Sequence, residues 1–273
     1  MAGGPSTLVI ASHGVTIEIA VEKSELLPSV ADVLPPGWEK GDPAKTAAQV
    51  TLSRDGQVSV DGATVRTRDS WRTALSALES ALHSVVAQNA PDRVFIHAGV
   101  VARAGRAIVL PGGSWSGKTT LVAALVRSGA VYFSDEFAVL DCHGRVHPYP
   151  KPLSLREPGA FAQVDVAAEE LGAVGSAPAE VAVIARTRFS PDEPALKRGT
   201  AGGGGLALVS HAVAVRARPA QVLEAARAAA TDAVYVDGPR GEAEPVARAL
   251  LALTDAKGAF SADLIDRPPT RVL

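Results

Sequence analysis

The stretch AIVLPGGSWSGKTTLVAAL, residues 107–125, joins an apolar run to a helical pattern through a glycine-rich loop. Gly112 is followed by four residues and then by Gly117, Lys118 and Thr119, which is the spacing of a P-loop. In such a loop, backbone N–H groups at a helix start bind nucleotide phosphates, a lysine reaches the outer phosphates, and a hydroxyl binds Mg²⁺. The stretch predicts a strand, a phosphate-binding loop and a helix.

The alternative to a P-loop is an ordinary glycine-rich turn between a strand and a helix. That alternative does not explain why a lysine and a threonine follow the second glycine at once. One residue is unusual, since Trp115 places a large ring in a loop that usually prefers small residues. The residues predicted to bind ATP are Gly112, Gly113, Ser114, Trp115, Ser116, Gly117, Lys118, Thr119 and Thr120.

Composition indicates a globular protein of 273 residues, 47% hydrophobic and 21% charged, with room for a sizeable core. The formal net charge of −2 argues against a nucleic-acid partner, because no excess of basic residues is present to meet a phosphate backbone. Cys142 is the single cysteine, which excludes an internal disulfide and suits a reducing compartment.

The chain carries no pattern of a secreted or membrane protein. Its amino terminus lacks the basic start and long apolar run of a secretory signal. The longest apolar stretch, FIHAGVVARAGRAIVL, is interrupted by Arg103 and Arg106 and falls short of the roughly 18 apolar residues that a membrane helix needs. We expect a cytoplasmic protein without a membrane partner.

The amino-terminal third reads as β-rich. Two partly alternating runs flank His13-Gly14, and Asp-Gly pairs at 55–56 and 61–62 mark turns between strands. From Ser70, a plausible N-cap, apolar residues recur at helical spacing. We predict a β-rich domain with a linking helix.

The rest of the chain alternates short strands and helices, so the predicted fold class is α/β, with mixed α+β character. We place the amino-terminal domain at residues 1–90 and the nucleotide-binding domain at 91–273. The run GGGG at 202–205 lacks a preceding strand and reads as a flexible loop. The segment DCHGRVH, residues 141–147, fits no closed zinc pattern and reads as a polar turn.

Two further features bear on chemistry. Asp135 and Glu136 end the run VYFS, about one strand past the predicted helix, where phosphoryl-transfer proteins place a metal ligand or a base. Solvated acids at a strand end are the alternative. His97 lies in an apolar run, where a lone histidine is often a core residue.

Several P-loop classes are excluded. Asn89 is the single asparagine, so the base-recognition motif of GTPases and the catalytic-loop asparagine of eukaryotic-type protein kinases are absent. No LSGGQ stretch indicates an ABC transporter ATPase.

Taken together, IHAGVV, GRAIVLPGGSWSGKTTL, VYFSDEFAVLD and GRVHPYPKPLSLR resemble the HPr kinase/phosphorylase family, particularly its smaller HPr-kinase-like relatives. The match in order and spacing covers residues 93–156, weakens through the rest of the carboxy-terminal half, and is not visible before about residue 70. The resemblance implies a nucleotide-binding core shared with phosphoenolpyruvate carboxykinases, in which a bent mixed sheet replaces the usual parallel one.

The resemblance also implies roles for matching residues. Lys118 would contact the outer phosphates of ATP, and Thr119 would ligate Mg²⁺. Asp135 would be the base that accepts the proton of the acceptor hydroxyl, with Glu136 as a metal ligand. His97 would lie beside the transferred phosphate.

Two more roles and three departures complete the comparison. Arg156 would stabilise charge on the transferring phosphoryl group, and Glu157 would join the metal shell. Trp115 stands where the loop often has glycine, and its ring is a stacking surface for the nucleotide or the acceptor. The acidic pair is Asp-Glu instead of Asp-Asp. The carboxy-terminal signature tied to the reverse reaction is not found, so we expect neither phosphorylase activity nor HPr as substrate.

The sequence therefore predicts an ATP- and Mg²⁺-dependent kinase that phosphorylates a hydroxyl, serine being favoured, of a protein, peptide or small-molecule acceptor. Two alternatives stay open. One is a P-loop ATPase or nucleotide switch acting on a protein partner, and the other is a non-catalytic nucleotide-binding relative. The sequence also leaves open whether the chain forms a homo-oligomer.

Overall fold

The computed structural model describes residues 6–67, 70–113, 116–156, 163–190 and 194–255. They fall into two compact units, which divide between Arg93 and Val94. In the described residues no helix is long and apolar enough to cross a membrane.

The first unit is a six-stranded mixed sheet with helices. Its strand order is β3-β1-β2-β4-β5-β6, antiparallel except where β4 runs parallel to β2. The strands are β1 (Ser6–Ser12), β2 (Val15–Val21), β3 (Glu39–Lys40), β4 (Thr46–Leu52), β5 (Gln57–Val60) and β6 (Ala63–Thr67). The helices are α1 (Leu27–Ala31) and α2 (Trp71–Asn89), with 3₁₀ turns at Ser24–Leu26 and Pro43–Lys45.

Two of the predicted turns join neighbouring strands of this sheet. His13 and Gly14 both adopt positive φ between β1 and β2, and Asp61 and Gly62 do the same between β5 and β6. Such turns match the twist of an antiparallel pair. The helix predicted from Ser70 is also confirmed, because the Ser70 hydroxyl accepts the Thr73 N–H at 3.3 Å and caps α2.

The second unit contains an eight-stranded mixed sheet in the order β11-β10-β7-β8-β14-β16-β15, with β9 also pairing β7. Its strands are β7 (Val94–Arg103), β8 (Arg106–Pro111), β9 (Val131–Ser134), β10 (Phe137–Leu140), β11 (Arg145–His147), β14 (Ala179–Phe189), β15 (Lys197–Arg198) and β16 (Val234–Arg240). A separate hairpin is formed by β12 (Leu153–Arg156) and β13 (Gln163–Val166). The helices are α3 (Lys118–Arg127), α4 (Ala168–Leu171), α5 (Ala201–Val209), α6 (Pro219–Ala230) and α7 (Ala243–Asp255).

This sheet curls back on itself, because β11 pairs with both β10 and the first residues of β14. Strands β8, β14 and β16 run parallel to one another, whereas β7 and β10 run antiparallel to their neighbours. The mixed α and β content predicted from the sequence is confirmed.

Apolar residues form two buried clusters around the sheet. One includes residues of α3 and α7, such as Leu121 and Leu250, and the other includes residues of α5 and α6, such as Leu208 and Val222. Each of these four side chains is fully buried, which stabilises the fold by about 1.5–3 kcal/mol per side chain. The first cluster packs α3 against the sheet, beside α7.

One prediction is wrong. Residues 202–205 are helical in α5 and do not form a flexible loop. The Thr200 hydroxyl caps the helix by accepting the Gly203 N–H at 3.1 Å. A Cβ on Gly203 would lie 3.0 Å from Tyr235 and one on Gly204 would lie 3.2 Å from Ile184, so these glycines let α5 pack closely on the sheet. Tertiary packing thus overrides the poor helix propensity of glycine.

A cleft at the carboxyl ends of the parallel strands

The glycine-rich loop, residues 112–117, follows β8 and leads into α3. The strand that ends at Pro111 and the helix that begins at Lys118 confirm the predicted strand–loop–helix order. Gly117 precedes the helix in a left-handed conformation, with φ of +77°, and no side chain caps the first turn. The N–H groups of that turn therefore carry the positive end of the helix dipole without a side-chain acceptor.

The carboxyl ends of β8, β14 and β16 meet beside this loop because the three strands are parallel. Such an edge is the usual ligand-binding position in open α/β sheets. Among the predicted nucleotide-binding residues, Ser114 and Trp115 lie outside the described part of the chain. Thr120 is exposed in the first turn of α3, next to half-buried Lys118 and Thr119.

Lys118 reaches back over the loop, where its Nζ donates to the Gly112 carbonyl at 3.4 Å. Its stem packs against β7 because Gly99 has no side chain. A Cβ on Gly99 would lie 2.5 Å from Val122 and 3.1 Å from the Lys118 Cγ. Gly99 thus fixes the distance between the strand and the helix that carries the lysine.

The acidic pair occupies the tight turn between β9 and β10. Ser134, fully buried at the end of β9, accepts the N–H groups of Glu136 at 3.1 Å and Phe137 at 3.0 Å through its hydroxyl. This cap orders the turn and fixes where both carboxylates emerge. The run VYFS forms β9, and the acidic pair follows it directly, as the sequence indicated.

Asp135 faces the first turn of α3. Thr119 donates its hydroxyl to Asp135 Oδ2 at 2.6 Å. The other oxygen, Oδ1, is buried and has no hydrogen-bond partner among the described residues. Burial raises the pKa of this carboxyl to about 6, against the lowering effects of Thr119 and Lys118. A buried carboxylate with one free oxygen is suited to accept a proton or to bind a cation.

Glu136 points to a different partner. Its Oε2 lies 2.6 Å from Lys151 Nζ in a partly buried ion pair. The Lys151 carbonyl in turn accepts the hydroxyl of Tyr132 at 2.7 Å, which anchors the proline-rich segment beside the acidic turn. Sequence reasoning missed Lys151, because its separation from Glu136 carries no recognisable spacing.

His97 joins the two walls of the cleft through its backbone. Its carbonyl accepts the Gly112 N–H at 3.2 Å, and its own N–H donates to the His211 carbonyl at 2.9 Å. The exposed ring stacks at a tilt over Phe137, with centroids 4.8 Å apart. Partial burial lowers the pKa of His97, Lys118 and His211 lower it further, and Glu136 opposes them. The imidazole is therefore neutral at pH 7, when it can donate or accept a hydrogen bond.

The segment His211–Val213 takes the place of β8 beside β7. Strand β8 leaves β7 where Pro111 pairs with Ala98, and past that point Val213 donates to the Phe95 carbonyl at 2.9 Å. Sequence reasoning missed this segment, because its partners in β7 are distant in the chain. A Ser-His pair at the end of a helical run was the one signal available.

These elements enclose a cleft of about 630 Å³. It brings together Lys118, Asp135, Glu136 and His97, which the sequence singled out and which lie on three separate elements. The lining residues are His97, Gly112, Gly113, Lys118, Asp135, Glu136, Ser210, His211, Ala212 and Val213.

Two predicted residues are not placed in the cleft. Arg156 ends β12, where its backbone pairs with Gln163, but its side chain lies outside what the structure describes. Glu157 falls outside the described residues altogether. Their predicted roles in phosphoryl stabilisation and metal binding stay predictions.

The donor set suits a hard cation shared with a ligand. Within the described ranges, no group of three or more His, Cys, Asp or Glu side chains could hold a metal ion. Mg²⁺, however, usually binds one or two carboxylates together with substrate phosphates. Asp135 and Glu136, which both line the cleft, and Thr119, whose hydroxyl is bonded to Asp135, supply oxygens of this kind.

The DCHGRVH segment does not contribute to this site. Asp141 is buried and accepts hydrogen bonds from His147 Nε2 at 3.0 Å and Arg145 Nε at 3.1 Å. Its hydrogen bonds with His147 and with the Arg145 and His143 backbone lower the pKa of this carboxyl, against the effect of burial. The described geometry is an internal ion-pair turn, in agreement with the sequence reading.

Comparison with known proteins does not assign the chain to a family. No protein-family model matches the chain, and no curated protein matches it significantly.

Proposed function

We propose that the second unit is a kinase that binds ATP with Mg²⁺ and transfers the γ-phosphoryl group to a hydroxyl. The acceptor is a protein, a peptide or a small molecule, and the favoured acceptor group is a serine hydroxyl. The observation that carries this proposal is the buried Asp135 carboxyl, bonded to Thr119 at 2.6 Å in the helix turn that begins with Lys118. An acid, a hydroxyl and a lysine meet there at an uncapped helix start.

Phosphate binding is supported by the charge distribution of the loop. The free N–H groups of the first turn of α3 and the Lys118 ammonium present positive charge to one end of the cleft. A triphosphate bound there would direct its terminal phosphate toward Asp135 and His97. Catalysis by such a site consists mainly of positioning and charge neutralisation.

Asp135 is the proposed general base. With a pKa of about 6, it is ionised at neutral pH and still basic enough to accept a proton. In the proposed step the acceptor oxygen forms a bond to the γ-phosphorus, and the bond from that phosphorus to the β–γ bridging oxygen breaks. The hydroxyl proton passes to Asp135, and the leaving group departs as ADP.

Mg²⁺ would be held by Thr119 and Glu136 together with the phosphates, and it would neutralise charge on the transferring group. The Lys151 ammonium, now 2.6 Å from Glu136, supplies the compensating charge at that carboxylate. His97 would contact the transferred phosphate. Arg156 and Glu157 are assigned the roles that the family resemblance implies.

The order of elements supports assignment to the HPr-kinase-like type of fold. A histidine on β7, the loop after β8 and an acidic pair after β9 follow one another as the resemblance predicts. The curled mixed sheet is compatible with a core of the phosphoenolpyruvate carboxykinase type.

The test is transfer of label from γ-labelled ATP in the presence of Mg²⁺, with and without fractionated host extract. Lys118→Ala and Asp135→Ala are compared with wild type. Matched controls are Lys197→Ala, an exposed lysine on β15, and Asp237→Asn, an aspartate that pairs with Arg186. We expect the controls to label an acceptor and the two site variants to label none.

Other outcomes decide between the alternatives. Label recovered as free phosphate in every fraction would replace the kinase by an ATPase. ATP that binds and stays intact in every fraction would favour the non-catalytic reading. Wild type that fails to bind ATP would refute the nucleotide site altogether.

A further inference from the structure

Arg240 is a buried arginine that sequence reasoning did not single out. It ends β16, and only 2% of the residue is exposed. Its Nη2 donates to the Gly117 carbonyl at 2.8 Å and its Nη1 to the Gly241 carbonyl at 2.8 Å. Its Nε has no hydrogen-bond partner among the described residues.

The guanidinium lies directly against the residue that precedes α3. A Cβ added to Gly117 would come within 2.7 Å of Arg240 Nη2. Phe189, which pairs with Arg240 across the parallel strands β14 and β16, places its ring 5.3 Å from the guanidinium carbon. The loop, the end of β14 and the end of β16 therefore meet at this one side chain.

The charge of Arg240 is not balanced in the described part of the structure. No carboxylate there lies within 4.0 Å of the guanidinium, and Glu242 and Glu244, the acids that attract it from farther away, are exposed. A buried cation without a partner is costly. Here the cost is increased, because the guanidinium lies against Gly117, at the positive end of α3.

We propose that Arg240 is a positioning residue for phosphate binding, which holds the loop through the Gly117 carbonyl and adds positive charge that a bound polyphosphate neutralises. This inference rests on the proposed function, since the polyphosphate is the one that ATP carries. Holding that carbonyl keeps Gly117 in its left-handed conformation and directs the following N–H groups toward the ligand. The ligand class is a linear polyphosphate, with or without a nucleoside.

A purely structural role makes different predictions. If Arg240 serves only to tie three strand ends together, its removal lowers the melting temperature and leaves the affinity of the folded protein unchanged. If it positions and charges the loop, its removal weakens binding of the polyphosphate and flattens the salt dependence of that binding. Each phosphate neutralised by a cation adds to this salt dependence, as for nucleic acids.

The experiment measures binding of ATP and of inorganic tripolyphosphate to wild type, Arg240→Met and Arg240→Lys at two salt concentrations, with melting temperatures of the free proteins. The matched control is Arg186→Met, which removes an exposed arginine of the same sheet that pairs with Asp237. We expect Arg240→Met to weaken both ligands on the order of tenfold or more, with a shallower salt dependence.

Arg240→Lys keeps the charge but cannot bridge both carbonyls, so we expect an intermediate loss, with the salt dependence of wild type. Arg186→Met should bind both ligands as wild type does. Arg240→Met that is folded and binds both ligands with unchanged affinity would overturn the inference. Should that variant not fold, unchanged affinity of Arg240→Lys would overturn it. Wild type that binds neither ATP nor tripolyphosphate would instead refute the proposed function.

Discussion

Two glycine-rich helix starts in the second unit look alike in sequence and differ in structure. Before α3, Gly117 adopts a positive φ, no side chain caps the helix, and a buried arginine holds its carbonyl. At α5, the Thr200 hydroxyl caps the helix, the glycines that follow are helical, and two of them, Gly203 and Gly204, face Tyr235. Glycine exposes backbone N–H groups in the first case, and it permits close packing in the second.

The comparison shows why only one of these starts is suited to bind an anion. At α5 the donors of the first turn are partly satisfied within the protein, and the nearby space is filled by an aromatic ring. At α3 no side chain of the described residues caps the first turn, and Lys118 and Arg240 add charge. The following predictions run from the largest expected effect to the smallest. They test whether the start of α3 serves ligand binding and the start of α5 serves packing on the sheet.

Replacing Asp135 with Asn should slow phosphoryl transfer by about 10²–10⁴-fold, because the proposed general base is removed. The same change should stabilise the folded protein at pH 7.5. The pKa of Asp135 is about 6 in the folded protein, against the ordinary 3.8. The folded state is therefore destabilised as pH rises from 3.8 through 6, because the buried carboxyl must then ionise. We expect a gain of about 1–3 kcal/mol at pH 7.5 that disappears below pH 4, measured by denaturant unfolding at both pH values.

The control for Asp135 is Asp237, where we expect substitution by Asn to change stability in the opposite direction. Arg186 lowers the pKa of Asp237, so ionisation of that carboxyl stabilises the fold above its ordinary pKa. Asp237→Asn should therefore lower stability slightly at pH 7.5, by at most about 1 kcal/mol for an exposed pair, and this loss should fade only as pH falls below the ordinary 3.8 of the carboxyl. If the two substitutions changed the free energy of unfolding equally at both pH values, the assignment of Asp135 as a buried carboxyl with a raised pKa would be contradicted.

Gly117→Ala should destabilise the second unit by about 1–3 kcal/mol and weaken ATP binding together. The new Cβ meets Arg240 Nη2 at 2.7 Å, and the φ of +77° is strained for alanine. Thermal unfolding and calorimetric titration with ATP measure the two effects. Lost stability with unchanged affinity would show that the conformation of Gly117 serves folding alone.

Thr200→Ala tests the other helix start. Loss of the hydroxyl that accepts the Gly203 N–H should cost about 0.5–2 kcal/mol in unfolding free energy. Phosphoryl transfer and ATP affinity should be unchanged, because α5 begins outside the residues that line the cleft. Thr200→Ser, which keeps the acceptor, should retain most of the stability.

Gly202→Ala should stabilise the protein by about 0.4–1 kcal/mol, the smallest effect in the series. The nearest atom to an added Cβ is Thr200 Oγ1 at 3.9 Å, so alanine fits and favours the helix. Gly203→Ala is the matched comparison, since its Cβ would lie 3.0 Å from the Tyr235 ring. A rise in melting temperature for Gly203→Ala equal to that for Gly202→Ala would contradict packing as the reason for these glycines.

Local patterns predicted much of the fold. Asp61-Gly62 and the Ser70 cap act within a few residues, and the structure contains the expected turn and helix. The same holds for the strand before Gly112 and the helix after Gly117, because a Gly-rich turn and a helical apolar period are visible in sequence. The residues 202–205 were misread, since their helix depends on Tyr235, which follows some thirty positions later.

The sequence by itself identified the side chains to which we assign chemical roles in the proposed function. Lys118, Thr119, Asp135 and Glu136 were identified by type and spacing, and His97 through a family resemblance. Local spacing is sufficient for a motif, because its residues are neighbours along the chain.

Tertiary structure alone decided what surrounds those side chains. It buries Asp135 Oδ1 without a partner among the described residues and brings Lys151 to Glu136. It also brings Gly112 and His211 to the backbone of His97, and it sets Arg240 against Gly117. The last contact joins residues 123 positions apart in the chain. The physical reason is that parallel strands bring their carboxyl ends together whatever their separation in sequence, so burial and charge balance at that edge arise only when the sheet forms.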